Sequence, residues 1–64
     1  MQLFQKVRMI SEKYQLDHIN KGDIGYIIEI YDDSYCEVEF SYRDGTTYAV
    51  QAISVKDFEV VDDN

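Results

Sequence analysis

Hydrophobic and polar residues alternate along most of this chain, and turn residues separate the alternating segments at short intervals. The clearest case places Cys36, Val38 and Phe40 on one side of a strand, and Glu37 and Glu39 on the other. A period of two, repeated over several short segments, predicts antiparallel strands rather than helices. The pattern therefore indicates a small all-β protein built as an antiparallel barrel.

Five strands are predicted, over residues 5–10, 24–31, 35–42, 46–53 and 58–61. Asp44-Gly45 is a strong hairpin signal between the third and fourth strands, and Asp32-Asp33-Ser34 supplies the turn before the third. Ser54, with Asp57 three residues later, predicts one capped helical turn before the last strand. Such a turn is typical of SH3-like barrels. The length of 64 residues leaves room for a single domain, residues 1–64.

The second predicted strand has apolar residues on both faces, which is expected of a long, bent strand that serves both sides of a barrel, with Gly25 as the bend. A polar excursion loop is predicted over residues 11–21. Isolated apolar residues outside the strands are expected to anchor this loop and the start of the chain to the core. They are Leu3, Phe4, Tyr14, Leu16 and Ile19.

Acidic residues dominate the charge, with thirteen Asp and Glu against six Lys and Arg, a net charge of −7 and a pI near 4.3. Eleven of the acids follow residue 21, where the only bases are Arg43 and Lys56. A surface of this sign repels phosphate backbones and accelerates encounter with a basic partner. It argues against nucleic acid as the ligand and favours a basic protein. The alternative is that the acids only provide solubility.

No catalytic or metal-binding constellation is predicted. His18 could act as a base beside Asp17, but a solvated loop histidine is the simpler interpretation. Cys36 lies on the inward side of its strand, where a free cysteine behaves as a small apolar residue. The sequence lacks the thiolates and imidazoles of a zinc site and the spaced oxygen ligands of a calcium loop. We expect no enzyme activity, no metal and no cofactor.

The best candidate for a binding surface is a set of acids interleaved with tyrosines in the two hairpins and the strand between them. Tyrosine gives a large contact area at low entropic cost, and carboxylates pair with Arg and Lys across an interface. The predicted partner-binding residues are Tyr31, Asp32, Asp33, Tyr35, Glu37, Glu39, Tyr42 and Asp44. The alternative is that the tyrosines are cross-strand packing pairs and the acids a solvated face.

Several segments together resemble one protein family: Lys21-Gly22-Asp23-Ile24-Gly25, then Glu37-Val38-Glu39-Phe40, then Asp44-Gly45-Thr46. They are similar to domain of unknown function 4926, an uncharacterised family of small bacterial proteins, over nearly the whole chain. The resemblance implies an SH3-like, KOW-related barrel without catalytic residues, encoded near toxin-like partners. The loop at residues 12–20 departs from the family's usual pattern.

The expected function is that of a non-catalytic binding protein, either an immunity protein or an antitoxin, which neutralises a basic toxin domain by direct complex formation. The alternative is a small accessory or structural module that docks on a larger enzyme or assembly. Polyproline recognition is less well supported, because the chain has no tryptophan to form the wall of the groove. One free cysteine and the absence of a long apolar stretch predict a cytoplasmic protein, not bound to membranes, that is a monomer or weak dimer.

Overall fold

The computed structural model describes residues 1–61 and arranges five antiparallel strands in one sheet. The strands are β1 (Lys6–Met9), β2 (Ile24–Ile30), β3 (Tyr35–Ser41), β4 (Thr47–Ser54) and β5 (Phe58–Val60). Single 3-10 turns lie at Gln15–Asp17 and Val55–Asp57. The spatial order is β4-β3-β2-β1-β5. The all-β, five-stranded prediction is confirmed. Because β4 and β5 do not pair within residues 1–61, the sheet is not closed and the barrel is loose.

The alternation along β3 divides core from surface as predicted. Cys36, Val38 and Phe40 are fully buried, whereas Glu37 and Glu39 point away from the core. Six further apolar side chains complete the core: Val7, Met9, Ile19, Ile27, Ile53 and Phe58. Burying a large apolar side chain contributes about 1.5–3 kcal/mol. A short chain needs nearly all of these contributions to remain folded.

Gly25 is required by close packing against β3. A Cβ atom at Gly25 would lie 2.6 Å from Val38 Cγ1 and 2.9 Å from the Glu39 carbonyl oxygen. The irregularity in the register of β2 is a bulge between Ile27 and Glu29, two to four positions after Gly25. A bulge inserts an extra residue and increases local twist. Hence β2 can present apolar residues on both faces.

The loop between β1 and β2 is anchored by only some of the residues predicted. Ile19 is fully buried, and Tyr14 packs against the core while its hydroxyl donates to Asp57 Oδ2 at 2.8 Å. Leu16, by contrast, is 98% exposed, so its predicted role is wrong. The 3-10 turn carries Leu16 on its solvent side, and His18 then adopts a left-handed conformation (φ 66°) that returns the chain to the core at Ile19.

The start of the chain also departs from expectation, because Leu3 and Phe4 are exposed rather than anchored. Phe4 has a positive φ of 67° and its side chain is 72% exposed. Its backbone N–H donates to the Ile27 carbonyl at 2.6 Å, so the main chain is attached while the ring is not. The segment is therefore held to β2 by its backbone.

Both turn predictions near the end of the chain are confirmed. Gly45 adopts φ 91° and donates its N–H to the Tyr42 carbonyl at 2.9 Å, closing the β3–β4 hairpin. Ser54 caps the 3-10 turn, and its side-chain oxygen accepts from the Lys56 N–H at 3.3 Å. These local contacts set the two ends of β4.

Candidate functional site

The outward side of β2 and β3 carries a row of carboxylates. In the strand register, Glu37 lies opposite Glu29 on β2, and Glu39 lies opposite Tyr26. On its other side β3 faces β4, where Ala52 and Val50 are the partners of Glu37 and Glu39. We call Glu29, Glu37 and Glu39, together with Tyr26, Tyr31 and Tyr35, the acidic face. It is a continuous surface formed by two adjacent strands and the hairpin that joins them.

Glu29 and Glu37 form a cross-strand pair of like charge, an arrangement that destabilises a sheet. Tyr31 extends from the end of β2 and donates its hydroxyl to Glu37 Oε1 at 2.7 Å. That hydrogen bond, with desolvation and the charges of Glu37 and Glu29, raises the pKa of Tyr31 to about 12. The hydroxyl therefore stays protonated and continues to donate to Glu37 at neutral pH.

No basic side chain neutralises these carboxylates within residues 1–61. The ion pairs of the described chain join Arg8 to Glu59 at 2.9 Å and Lys13 to Asp57 at 3.7 Å, away from β3. Glu39 Oε2 accepts a hydrogen bond from Thr47 Oγ1 at 3.0 Å, a neutral partner. No ion pair within residues 1–61 therefore neutralises the three glutamates of the acidic face, and the nearest basic residue in the strand register is Lys6 on β1, opposite Tyr26.

Tyr26 belongs to this face, although sequence reasoning did not select it. Its side chain is 44% exposed and its strand partner is Glu39. The run of apolar residues in β2 hides the signal, because Tyr26 follows the same period of two as Ile24 and Ile28. Its alternation with Gly25 and Ile27, both buried, is the feature that could have identified it.

The first hairpin places its two aspartates differently. Asp32 Oδ1 accepts from the N–H groups of Ser34 at 2.7 Å and Tyr35 at 2.9 Å, so this carboxylate organises the turn. Asp33 is exposed, with no hydrogen bond or ion pair to the described residues. Tyr35 is exposed and shares the outward side of β3 with Glu37. Of the two aspartates, Asp33 has the carboxylate that is available to a partner.

Tyr42 and Asp44 lie at the opposite end of β3 from the first hairpin. The seven residues of β3 span about 20 Å. Asp44 Oδ1 accepts from the Thr46 N–H at 2.9 Å, and the hydrogen bonds from Thr46 lower the pKa of Asp44. The eight predicted binding residues are thus distributed over β3 and the two hairpins at its ends. Tyr31, Tyr35 and Glu37 meet near one end, and Tyr42 and Asp44 lie at the other.

An open groove of about 510 Å³ adjoins this second end. Asp23 Oδ2 accepts from the Asn20 N–H at 2.9 Å and from the Tyr48 hydroxyl at 3.0 Å. Burial, and then the bond to Asp23, raise the pKa of Tyr48 to about 12. The Tyr42 ring packs on Tyr48 with centroids 4.8 Å apart. The other lining residues are His18, Ser41 and Arg43.

The groove lies between the β1–β2 loop and the β3–β4 hairpin, two segments that are distant in sequence. No local motif marks it, so Tyr42 is the only one of its lining residues among the predicted partner-binding residues. Its aromatic wall, carboxylate and Arg43 can receive a polar side chain of a partner. The hydrogen bond from Tyr48 to Asp23 also holds the loop against β4, whereas the bond from Asn20 lies within the loop.

His18 and Cys36, the two residues considered as catalytic groups, lie apart in the structure. His18 is exposed at the rim of the groove, near the end of β3, whereas Cys36 is buried near its beginning. Burial raises the pKa of the Cys36 thiol, and its Sγ lies 3.0 Å from Met1 Sδ. Within residues 1–61, no group of three or more His, Cys, Asp or Glu side chains is arranged to hold a metal ion.

Comparison with known proteins gives one match. No curated protein and no solved structure matches the chain. In the part of the chain that the structure describes, no helix has the length and apolar character needed to cross a membrane. Residues 3–60 match the family model described as "Domain of unknown function (DUF4926)", and the chain therefore belongs to that family.

Proposed function

We propose that this chain is a non-catalytic binding protein that neutralises a basic toxin domain, such as a nuclease, by direct complex formation. It would act as an immunity protein or an antitoxin. The observation that carries the proposal is the acidic face, where three carboxylates without a basic partner among residues 1–61 lie beside exposed tyrosines.

The Glu29–Glu37 pair supports an interface rather than a merely soluble surface. A sheet built only for stability would set opposite charges, or a charge and an uncharged residue, at directly opposed positions. Sites that break such local rules are often functional sites. Lys and Arg side chains of a partner would relieve the repulsion and form charge-assisted hydrogen bonds with the carboxylates.

The exposed tyrosines supply the contact area that charge alone does not. Tyr26, Tyr31 and Tyr35 all expose their rings around the carboxylates. Aromatic residues are enriched where most binding energy is concentrated. A standard interface buries about 800 Å² on each partner, close to a fifth of the 4491 Å² surface of residues 1–61. A partner would therefore cover the acidic face and the hairpin next to it.

The chain would inhibit the toxin by occupying the surface that binds the toxin's substrate. The basic surface of a nuclease holds phosphates, and a protein surface of opposite charge seated there excludes the substrate. This mechanism needs no catalytic group in the chain. It agrees with the placement of His18 at the groove and of Cys36 in the core near the other end of β3.

The proposal is tested by co-expressing the chain with the proteins encoded beside its gene. We expect one of them to inhibit growth when expressed alone, and to form a stoichiometric complex with the chain that restores growth. The double substitution Glu37→Gln/Glu39→Gln should weaken that complex by about 1.5–3 kcal/mol, or about 10- to 100-fold.

The matched control is Glu12→Gln/Asp17→Asn, which removes the same charge from the exposed β1–β2 loop. It should change the affinity by less than about threefold, because distant charges are screened at physiological salt. The proposal fails if no neighbouring protein forms a complex. It also fails if the two double variants weaken the complex equally, since net charge rather than the acidic face would then explain binding.

A second candidate function, docking on a larger enzyme or assembly, is favoured by the exposed apolar residues at the start of the chain. Leu3 and Phe4 lie in the solvent, and Phe4 does so with a strained positive φ. An interface centred there would be more apolar and less sensitive to salt. Phe4→Ser, which leaves the acidic face unchanged, should then weaken binding more than Glu37→Gln/Glu39→Gln.

A further inference from the structure

Strand β4 forms one edge of the sheet among the described residues, and most of its length is unprotected. It spans eight residues, Thr47–Ser54, and contains no charged residue and no proline. The strand at the opposite edge, β5, has only three residues. Natural sheets protect their edges with charges, proline, bulges, short strands or a covering segment. β4 is long, uncharged and without proline, so three of these protections are absent. A fourth, a bulge, lies near its start, where Phe40 and Ser41 pair with Ala49 and Thr47 and leave Tyr48 as the extra residue.

Neighbouring segments leave most of this edge uncovered. At its end, the Ser54 N–H donates to the Tyr14 hydroxyl at 3.3 Å, so the β1–β2 loop covers that position. Among the described residues, no loop or side chain forms a hydrogen bond with the backbone of residues 48–53. Beyond the bulge at Tyr48, residues 49–53 offer a regular edge about 16 Å long. This is enough for a segment of a partner to pair as an additional strand.

The side chains next to the edge determine which segment would fit. Val50 and Ala52 are exposed on the outward side, and they lie opposite Glu39 and Glu37. A strand added beyond β4 would lie about 10 Å from β3, two strand spacings away. Lys and Arg side chains can cover that distance, with their aliphatic stems on Val50 and Ala52 and their charged ends at the glutamates.

We propose that the β4 edge binds an extended segment of the basic partner by β-strand addition, with Lys or Arg at alternate positions reaching Glu37 and Glu39. The inference rests on the proposed function and specifies how the partner docks. A second copy of this chain fits the edge less well. It would present the same uncharged strand, with no cation for the glutamates, and would bring a second net charge of −7.

The probe is a capped peptide of alternating lysine and valine, matched to the eight residues of β4. Amide hydrogen exchange of the ¹⁵N-labelled chain, followed by NMR, reports which backbone groups become protected. We expect exchange within residues 48–53 to slow by about tenfold or more at saturation. A peptide N-methylated at every residue keeps the same charge but has no backbone N–H group to donate, and it should give no such protection.

Two variants distinguish peptide binding at the β4 edge from a nonspecific effect of charge. Ala52→Lys places a cation beside Glu37 and should weaken peptide binding by about tenfold. Gln15→Lys adds the same charge in the exposed loop and should change the affinity by less than about twofold. Ala52 is exposed, so both variants should fold.

The inference is overturned if the lysine-valine peptide does not bind, or if its N-methylated form binds equally well. It is also overturned if protection appears only at the 42–46 hairpin, or if the free chain is a dimer whose β4 amides are already protected. Each of these results leaves the proposed function standing, because a basic partner could still bind the acidic face. Conversely, the absence of a basic partner in co-expression would remove the proposed function even if the peptide pairs with β4.

Discussion

Replacing Glu29 with glutamine removes one of the two carboxylates that oppose each other across β2 and β3, while the Tyr31–Glu37 hydrogen bond remains. Opposed side chains have Cβ atoms about 5 Å apart. Two unit charges about 6 Å apart in water repel each other by about 0.7 kcal/mol. We therefore expect Glu29→Gln to raise the free energy of unfolding by about 0.5 kcal/mol, a rise in Tm of about 2–4 °C for a domain of this size.

The measurement is urea and thermal unfolding at low salt. The control is Asp33→Asn, because Asp33 is exposed in the turn and has no hydrogen bond or ion pair to the described residues. Both substitutions reduce the net charge of −7 by one unit. At about 1 M salt the advantage of Glu29→Gln should vanish, since the Debye length falls to about 3 Å. Equal or lower stability of Glu29→Gln relative to the control at low salt would refute the reasoning.

Further predictions concern packing, the loop and titration. Gly25→Ala should lower the free energy of unfolding in urea by about 3 kcal/mol, because the new Cβ would lie 2.6 Å from Val38 Cγ1 and 2.9 Å from the Glu39 carbonyl oxygen, which cannot move aside. Gly45→Ala has open space around it and should lower it by only about 1 kcal/mol, because of the positive φ at that position. Ile19→Ala should lower the free energy of unfolding by about 2–5 kcal/mol, because Ile19 is fully buried. Leu16→Ala should change it by less than about 0.5 kcal/mol, because Leu16 is exposed. Equal effects of the two substitutions would contradict the arrangement of the loop. The pKa of Tyr48 rises from 10.0 to about 12 on folding, so the folded chain keeps a proton that the unfolded chain loses, and stability should fall as the pH rises through that window. Tyr48→Phe should make this fall shallower and remove one late step from the tyrosinate absorbance titration, and an unchanged titration would refute the assignment.

The strands were predictable because local patterns determine them. In β3, the alternation of Cys36, Val38 and Phe40 with two glutamates matches the observed burial residue by residue. The Asp44-Gly45 hairpin was predictable for a similar reason, since a glycine there can adopt the positive φ that the turn needs.

Features that depend on distant segments could not be predicted. Leu16 and Ile19 are both apolar residues in the same loop, and only the left-handed turn at His18 determines which of them enters the core. The bulge in β2 changes the alternation without a sequence signal of its own. The groove beside Tyr42 exists because Asp23 bonds to Tyr48, a contact across 25 positions of the chain.

The central claim is that the acidic face binds a basic protein, and the salt dependence of the affinity tests it most directly. The dissociation constant of the complex with the co-expressed partner would be measured by calorimetry across a range of salt concentrations, for the natural chain and for Glu37→Gln/Glu39→Gln. We predict that the affinity of the natural chain falls steeply with salt, and that the double substitution both weakens binding and flattens this dependence. Parallel salt dependences for the two proteins would contradict the claim.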